Sequence, residues 1–540
     1  MDNKKLADLL IPNAISLDDL YKQYPQRKLK EGERVLRVAP SPTGYLHLGT
    51  FFSALCQYLE TRINGGTFYV RLEDTDQKRE VTGAGDVIIE MLNYFGIFPD
   101  EGYMGDTTAE VGKYGPYVQS KRLHIYRAFA HHLIMAGRAF PCFCSKTENK
   151  QDVLQNREKA LAEGGQISEK DICRDLTFEE IESNIKAKKP FAIRLKSLGD
   201  GASTFKFTDY FKGEREIRQN AKDIVLLKAD GFPTYALGHL ADDTLMGTTI
   251  IVRGEEWYPS LSAHLELFEA CGYKWKKYGH APLICLKDEE TGNKRKFSKR
   301  KDPRADMRYY AQCGYPKEAI WEYILSFANS NFEDWRRTNP REDLLKFPFK
   351  LSRLGSNNPY FDGAKLEDVS KNVISKCSAQ NIFDAALAWA KLYDKEFADY
   401  LTKNKQRALA IFGIDRAPEK ARKDIAKWSD IKTLYGYLFE NAFEYEEKPA
   451  DKKVLEEYLL YGALPESKET WFENVKQIAG KLGYAVDTKE YKNNPSSYKG
   501  SITDVVTNIR LAITGRKNSP DLYEICKILG KQEVENRLKK

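Results

Sequence analysis

Apolar positions along the first hundred residues change period more than once. Val35, Leu36 and Val38 form a short continuous apolar run suited to a buried parallel strand, and Pro40 and Pro42 forbid its continuation. Leu48, Phe51, Phe52, Leu55 and Leu59 then recur at helical spacing, and Gly65-Gly66 supplies a stop. Thr67-Phe-Tyr-Val-Arg-Leu72 is strand-like again. Strand, helix and strand over that length predict a βαβ unit, whose first loop and helix N-terminus lie at the carboxyl ends of the strands, where free amides attract phosphate. Leu123, Tyr126, Ala130, Leu133 and Ile134 predict an amphipathic helix between Tyr117 and Gly137. Beyond it, Phe191, Ile193, Leu195, Phe205 and Phe207 alternate as in an antiparallel insert. Asp223 to Tyr235 reads as a strand and a turn, and Ile250 to Trp257 as a strand running into a loop. From about residue 340 the pattern is mainly helical, as around Trp389 and from Ile431 to Phe439.

Composition narrows the class. At 540 residues, with 42% hydrophobic and 12% aromatic content, the chain is globular and too long for one core. Its 85 basic and 78 acidic residues leave a net charge of +7, which permits a polyanionic partner without demanding one. No apolar run approaches the ~18 residues that span a bilayer, and the N-terminus lacks an apolar signal region, so a cytoplasmic location is expected. Nine cysteines, odd in number and thinly spread, fit reduced thiols better than a disulfide framework.

Several groups then stand out as candidate chemistry. His47, in the first turn of the predicted helix, can donate a hydrogen bond to a phosphate oxygen, and Gly44 and Gly49 leave room for close approach. The string Glu73-Asp74-Thr75-Asp76 puts carboxylates at a strand's carboxyl end, able to bind an amino group or magnesium, or simply to cap a helix. Arg253, also at a strand end, can pair bidentately with a carboxylate. Cys142, Cys144, Cys173 and Asp175 have the spacing of a zinc site, although carboxylate is a less common ligand in structural sites; reduced thiols are the favoured reading. His131 and His132 are neighbours that point apart and are expected to be solvated. Lys294-Arg-Lys296-Phe-Ser298-Lys299-Arg300-Lys301 reads on composition as a solvated basic face or a nonspecific nucleic-acid patch.

Arg37-Val-Ala-Pro-Ser-Pro-Thr-Gly-Tyr-Leu-His47-Leu-Gly49-Thr50 and Lys296-Phe-Ser298-Lys299-Arg300 together resemble the two signature loops of class I aminoacyl-tRNA synthetases, in the form carried by the bacterial-type glutamyl branch. Arg510-Leu-Ala-Ile-Thr-Gly-Arg516 near the end resembles the closing motif of that branch. The resemblance implies an α/β fold: a Rossmann-like catalytic domain in two halves, 34–135 and 221–288, interrupted by an acceptor-binding insert at 136–220. An N-terminal extension, 1–33, would precede it; a signature-loop and stem-contact region, 289–345, and a helical anticodon-binding region, 346–540, would follow. It further implies ATP with Mg2+, L-glutamate and tRNA-Glu as partners, tRNA-Gln as a further candidate, and a monomer. By the same resemblance, His47, Thr50, Lys296 and Lys299 act on the phosphates, with Gly44, Gly49 and Ser298 binding ATP. Arg37, Ala39, Ser41, Glu73, Tyr235, Arg253 and Trp257 would form the glutamate pocket, and some members hold zinc near the position of Cys142. The competing readings are a glutaminyl enzyme, disfavoured by Ser41, and a noncatalytic tRNA-binding relative, disfavoured by the retained His and Lys residues.

Overall fold

The computed structural model describes residues 2–144, 171–288, 290–297, 302–417, 421–438 and 447–539. They form two compact units, Met1–Tyr309 with Ile324–Phe361 and Tyr310–Tyr323 with Asp362–Lys540.

The first unit opens with two short helices, α1 (Asn3–Leu10) and α2 (Leu17–Gln23), capped by the side chains of Asp2 and Ser16. Their apolar faces, Leu6, Leu10 and Leu20, are buried, and both pack on a later helix, Leu123–Met135. The predicted βαβ follows as β1 (Arg34–Val38), α3 (Leu48–Asn64) and β2 (Gly66–Val70). β1 and β2 pair in parallel, Val35 opposite Thr67 and Val38 opposite Val70. Leu48, Phe51, Phe52, Leu55 and Leu59 all face the core. At Gly66 φ is +126°, and a Cβ there would meet the Arg34 carbonyl oxygen at 2.0 Å, so the chain can re-enter the sheet only through glycine.

Next come α4 (Ala84–Tyr94), β3 (Glu101–Gly102), which pairs with β2, and α5 (Leu123–Met135). The insert contributes β4 (Ala139–Cys142), α6 (Phe178–Lys186), β5 (Ala192–Leu195), the hairpin of β6 (Thr204–Asp209) and β7 (Gly213–Arg218), and β8 (Val225–Leu227). β4, β5 and β8 make one antiparallel sheet. The β6–β7 hairpin leaves it: Tyr210 N–H donates to the Tyr278 carbonyl, and Phe205 packs on Trp275. The chain then returns through α7 (Tyr235–Leu245), β9 (Ile250–Gly254), α8 (Leu261–Ala270) and β10 (Lys277–Ala281), with β9 and β10 parallel. Thr249 N–H donates to the Val35 carbonyl, so β9 lies beside β1 and the strands run in the order 3-2-1-9-10. Strand order reverses between β1 and β9, and the crevice at such a reversal is where open α/β sheets bind ligands. β11 (Cys285–Lys287) and β12 (Lys294–Lys296) form a final antiparallel ribbon. The βαβ unit that the periodicity predicts is thus part of the Rossmann-like arrangement that the resemblance implies.

Among its described residues the second unit holds no strand. Ser378, Ser467 and Asp521 each accept a backbone N–H at the start of a helix. Trp389, Phe397, Trp428, Tyr435, Tyr458 and Trp471 are buried in one continuous apolar core.

Candidate active site

A cavity of about 350 Å³ opens at the carboxyl ends of β1 and β9. Arg37, Ala39, Ser41, His47, Gly49, Thr50, Glu73, Tyr235, Arg253 and Trp257, scattered over some 220 positions of the sequence, all line it. Gly44 lies in the same loop without lining the cavity. Ser298 and Lys299 lie outside the described residues; Lys296 closes β12, its backbone paired with Cys285. A second cavity, about 650 Å³, sits at the opposite ends of the strands beside Arg34, Trp275 and Lys276 and contains none of these groups.

His47 is the N-cap of α3 rather than a first-turn residue, because its Nδ1 accepts the Gly49 N–H at 2.9 Å. Its Nε2 therefore carries the proton, which it donates to the Phe297 carbonyl at 3.1 Å. Asp306 bridges to the backbone of His47 as well. Phe297, within the second signature string, and Asp306, beyond it, are thus both anchored at the first string. Gly49 has a steric role: a Cβ there would press on His47 Nδ1 at 3.2 Å.

Behind the cavity lies a buried ionic network that sequence pattern did not reveal. Asp243 receives Arg37 through Nε and Nη2 at 3.2 and 3.0 Å, Arg71 at 2.9 Å and the Thr248 hydroxyl at 3.0 Å. Asp242 receives Arg122 at 2.7 Å, Gln119 at 2.9 Å and Tyr126 at 2.9 Å. Burial acts to raise the Asp243 carboxyl, but Arg37 and Arg71 hold it well below the ordinary carboxylate range. Arg71 also donates to Glu73 at 2.8 Å, yet removal from water raises the Glu73 carboxyl despite that neighbour. Removing one member of such a network strands a buried charge and costs about 3–5 kcal/mol.

The opposite wall is aromatic. Trp257, 36% exposed, stacks on Tyr235 with ring centroids 4.0 Å apart, and Tyr235 stacks in turn on His239 at 5.0 Å. His239, His264 and His280 are all buried around Arg253. Burial, with help from Arg253, lowers His239 to about 3. Burial and the neighbouring His239 and Arg253 put His264 well below its usual value. His280 is lowered by burial as well, although Asp209 pulls the other way.

Away from this cavity, Cys142, Cys144, Cys173 and Asp171 place one ligand atom each within 4.8 Å of one another. Asp171 replaces the expected Asp175. The reason is local: residues Ile172–Asp175 form a 3-10 turn that Asp171 caps, its Oδ1 accepting the Cys173 N–H at 2.8 Å. Asp175 faces solvent, its side chain 82% exposed and 3.6 Å from Lys196. Cys142 Sγ lies 3.1 Å from Asp171 Oδ2 and the Cys144 and Cys173 sulfurs 3.3 Å apart. Three thiols and one carboxylate at such distances fit a zinc-type ion. His131 takes a different path from the expected solvation, pairing with Asp8 of α1 at 2.9 Å.

Comparison with known proteins places this geometry in context. The profile for "tRNA synthetases class I (E and Q), catalytic domain" matches residues 34–367, and that for "Anticodon binding domain" matches residues 385–540. A glutamate–tRNA ligase of Clostridium perfringens is 42% identical over 100% of this chain and 99% of its own length. One from Acetivibrio thermocellus is 41% identical with full coverage of both. The crystal structure of glutamate-tRNA synthetase from Elizabethkingia anophelis superposes with a TM-score of 0.70 at 25% identity, covering 94% of this chain and 99% of that one.

Proposed function

The chain belongs to the class I tRNA synthetases for glutamate and glutamine, and from that membership we propose that it attaches L-glutamate to the 3′ end of tRNA-Glu through a glutamyl-adenylate. The supporting observation is a single cavity that joins the helix N-terminus at His47 to a buried arginine, Arg253, that pairs with no carboxylate among the described residues.

In this reading, ATP enters as its magnesium complex beside the N-terminus of α3. Glutamate's α-carboxylate oxygen attacks the α-phosphorus, an O–P bond forms, and pyrophosphate leaves with the electrons of the bond that breaks. A terminal ribose hydroxyl of the tRNA then attacks the activated carbonyl and AMP departs. Neither step needs a protein nucleophile. Rate comes from positioning and charge stabilisation, with His47 and Thr50 on the phosphates and Lys296 and Lys299 on the departing pyrophosphate. Gly44, Gly49 and Ser298 complete the ATP contacts. Arg253 and Arg37 face the side-chain carboxylate of glutamate, Glu73 its amino group, and Ala39, Ser41, Tyr235 and Trp257 shape the pocket. The helical unit reads the anticodon, where unstacked bases are recognised by stacking and hydrogen bonding.

Zinc held by Cys142, Cys144, Cys173 and Asp171 would supply a structural cross-link for the insert, remote from the reacting atoms. The glutaminyl alternative finds less support, because a neutral amide would leave Arg253 without a counter-charge. ATP–pyrophosphate exchange, measured with glutamate or glutamine in the presence of tRNA-Glu, tests the activation step. Exchange should depend on glutamate and on tRNA; exchange driven by glutamine, or none with either amino acid, would overturn the proposal.

A further inference from the structure

Among the described residues of the first unit four arginines are buried, and Arg253 differs from the other three. Arg37 and Arg71 pair with Asp243, and Arg122 with Asp242. Arg253 makes no ion pair among the described residues. It donates instead to His280 Nε2 at 3.0 Å, His264 Nδ1 at 2.8 Å and the Trp257 carbonyl at 3.5 Å, with the Tyr278 ring 4.7 Å from its guanidinium carbon. All of these partners are neutral. The arginine is held in place while its charge is left for a ligand, an arrangement that favours a carboxylate over an isosteric amide.

Such a hold requires each imidazole to offer a lone pair. A neutral imidazole has one donor and one acceptor nitrogen, and the partner of one fixes the role of the other. His280 can accept from Arg253 at Nε2 only with its proton on Nδ1, and Asp209 Oδ2 lies 2.6 Å from that Nδ1. Asp209 is fixed in turn, because its Oδ1 accepts the backbone N–H groups of Phe211 and Lys212 at 2.9 and 3.0 Å, in the turn that closes the β6–β7 hairpin. Asp209 and His280 are both buried. They do not line the cavity, so they can act on a ligand only through Arg253.

We propose that Asp209 and His280 are positioning residues for glutamate, a carboxylate–imidazole relay by which the inserted hairpin fixes the direction in which Arg253 presents its guanidinium to the substrate's side-chain carboxylate. The inference rests on Arg253 being that carboxylate's partner, as proposed above. It gives the β6–β7 hairpin a function: the turn docks on β10 and sets a hydrogen-bond pattern inside the amino-acid pocket.

Asp209→Asn is the sharpest test. The asparagine carbonyl must stay at the Oδ1 position to serve Phe211 and Lys212, which turns the amide NH2 toward His280 Nδ1. The imidazole then shifts its proton to Nε2, where it opposes the Arg253 Nε–H. Steady-state charging by the full-length protein should show the KM for glutamate raised about tenfold or more, the scale of one hydrogen bond to a charged group, with the KM for ATP unchanged and kcat little altered. In a His280→Ala background, where no imidazole remains to transmit the change to Arg253, Asp209→Asn should add almost nothing to the KM for glutamate.

Arg253→Ala run alongside separates the two claims. A glutamate KM raised by Arg253→Ala but not by Asp209→Asn overturns the relay alone, whereas a KM moved by neither overturns the glutamate pocket with it. Equal rises for glutamate and ATP would also overturn the relay, as general damage. Independent of any variant, 15N spectra of the histidine-labelled wild-type protein should show His280 protonated on Nδ1; an Nε2–H tautomer there would overturn the inference outright.

Discussion

Lowering the pH from 7 to 5 should strip stability from this protein through its buried histidines. His239 donates from Nδ1 to the Ala236 carbonyl and accepts from the Tyr278 hydroxyl, both at 2.9 Å, so the neutral ring is satisfied, and a second proton would bury a charge away from water. Burial lowers its folded pKa to about 3, against about 6.5 for an unfolded histidine. The folded value lies below the unfolded one, so the unfolded chain binds the extra proton. The stability is complete above about pH 6.5 and is lost as pH falls toward the folded value. Between pH 7 and pH 5, a histidine that stays neutral when folded gives up about 2 kcal/mol. His264, also held well below its usual range by burial and its neighbours, acts in the same sense and adds to that loss of about 2 kcal/mol. That is a large share of the ~5–15 kcal/mol by which folded proteins exceed their unfolded states. Urea unfolding followed by tryptophan fluorescence, at both pH values, reads the loss in the wild type and in His239→Asn. The substitution costs stability at each pH, but its pH-dependent loss should be smaller than the wild type's by about 2 kcal/mol. An equal loss in both proteins would refute the claim that His239 is neutral in the folded state.

Arg253→Ala should raise the KM for glutamate about tenfold to a hundredfold while leaving the KM for ATP in place, since it removes charge-assisted hydrogen bonds to the amino acid alone; an unchanged glutamate KM removes Arg253 from the pocket. Lys299→Ala should slow the activation step, measured in single turnover, with little loss of tRNA affinity; equal loss of both would make Lys299 a tRNA contact instead. Protein purified without chelator should contain about one zinc per chain by elemental analysis, lost in Cys173→Ala and in Asp171→Ala but retained in Asp175→Ala. Full zinc content in Cys173→Ala would dissolve that site.

Much of this could be read from the chain, for reasons that are physical. β1, α3 and β2 announce themselves because a buried strand, a core-facing helix and their glycine stop have different apolar periods, and Gly66 sits where only glycine can. The residues that line the cavity lie within two short strings and at two strand ends, so local pattern could reach them. The partners of those residues were out of reach. Asp242 and Asp243 look like any two acidic residues on a helix; only the return of α7 beside β1 and β2 brings Asp243 to Arg37 and Arg71. Asp171 and Asp175 are equidistant from Cys173 in sequence, and the turn that makes Asp171 its cap is what selects one. His47 could be placed at the start of α3, but its bond to the Phe297 carbonyl spans 250 residues. The N-terminal extension carried no recognisable signal, since its work is packing: Arg27 reaches Glu101 at 3.0 Å and stacks 3.9 Å from the Tyr114 ring. The clusters of His239, His264 and His280 about Arg253, and of Asp209 beyond them, likewise exist only once β9, β10, α7 and the hairpin meet.

The central claim is that this cavity selects glutamate for transfer to tRNA. Charging of a tRNA-Glu transcript by the purified protein, with radiolabelled glutamate and glutamine offered separately alongside ATP, tests it most directly. Acid-precipitable label should accumulate on tRNA with glutamate and stay at background with glutamine. Label accumulating with glutamine, or with neither amino acid at saturating ATP and tRNA, would contradict the account.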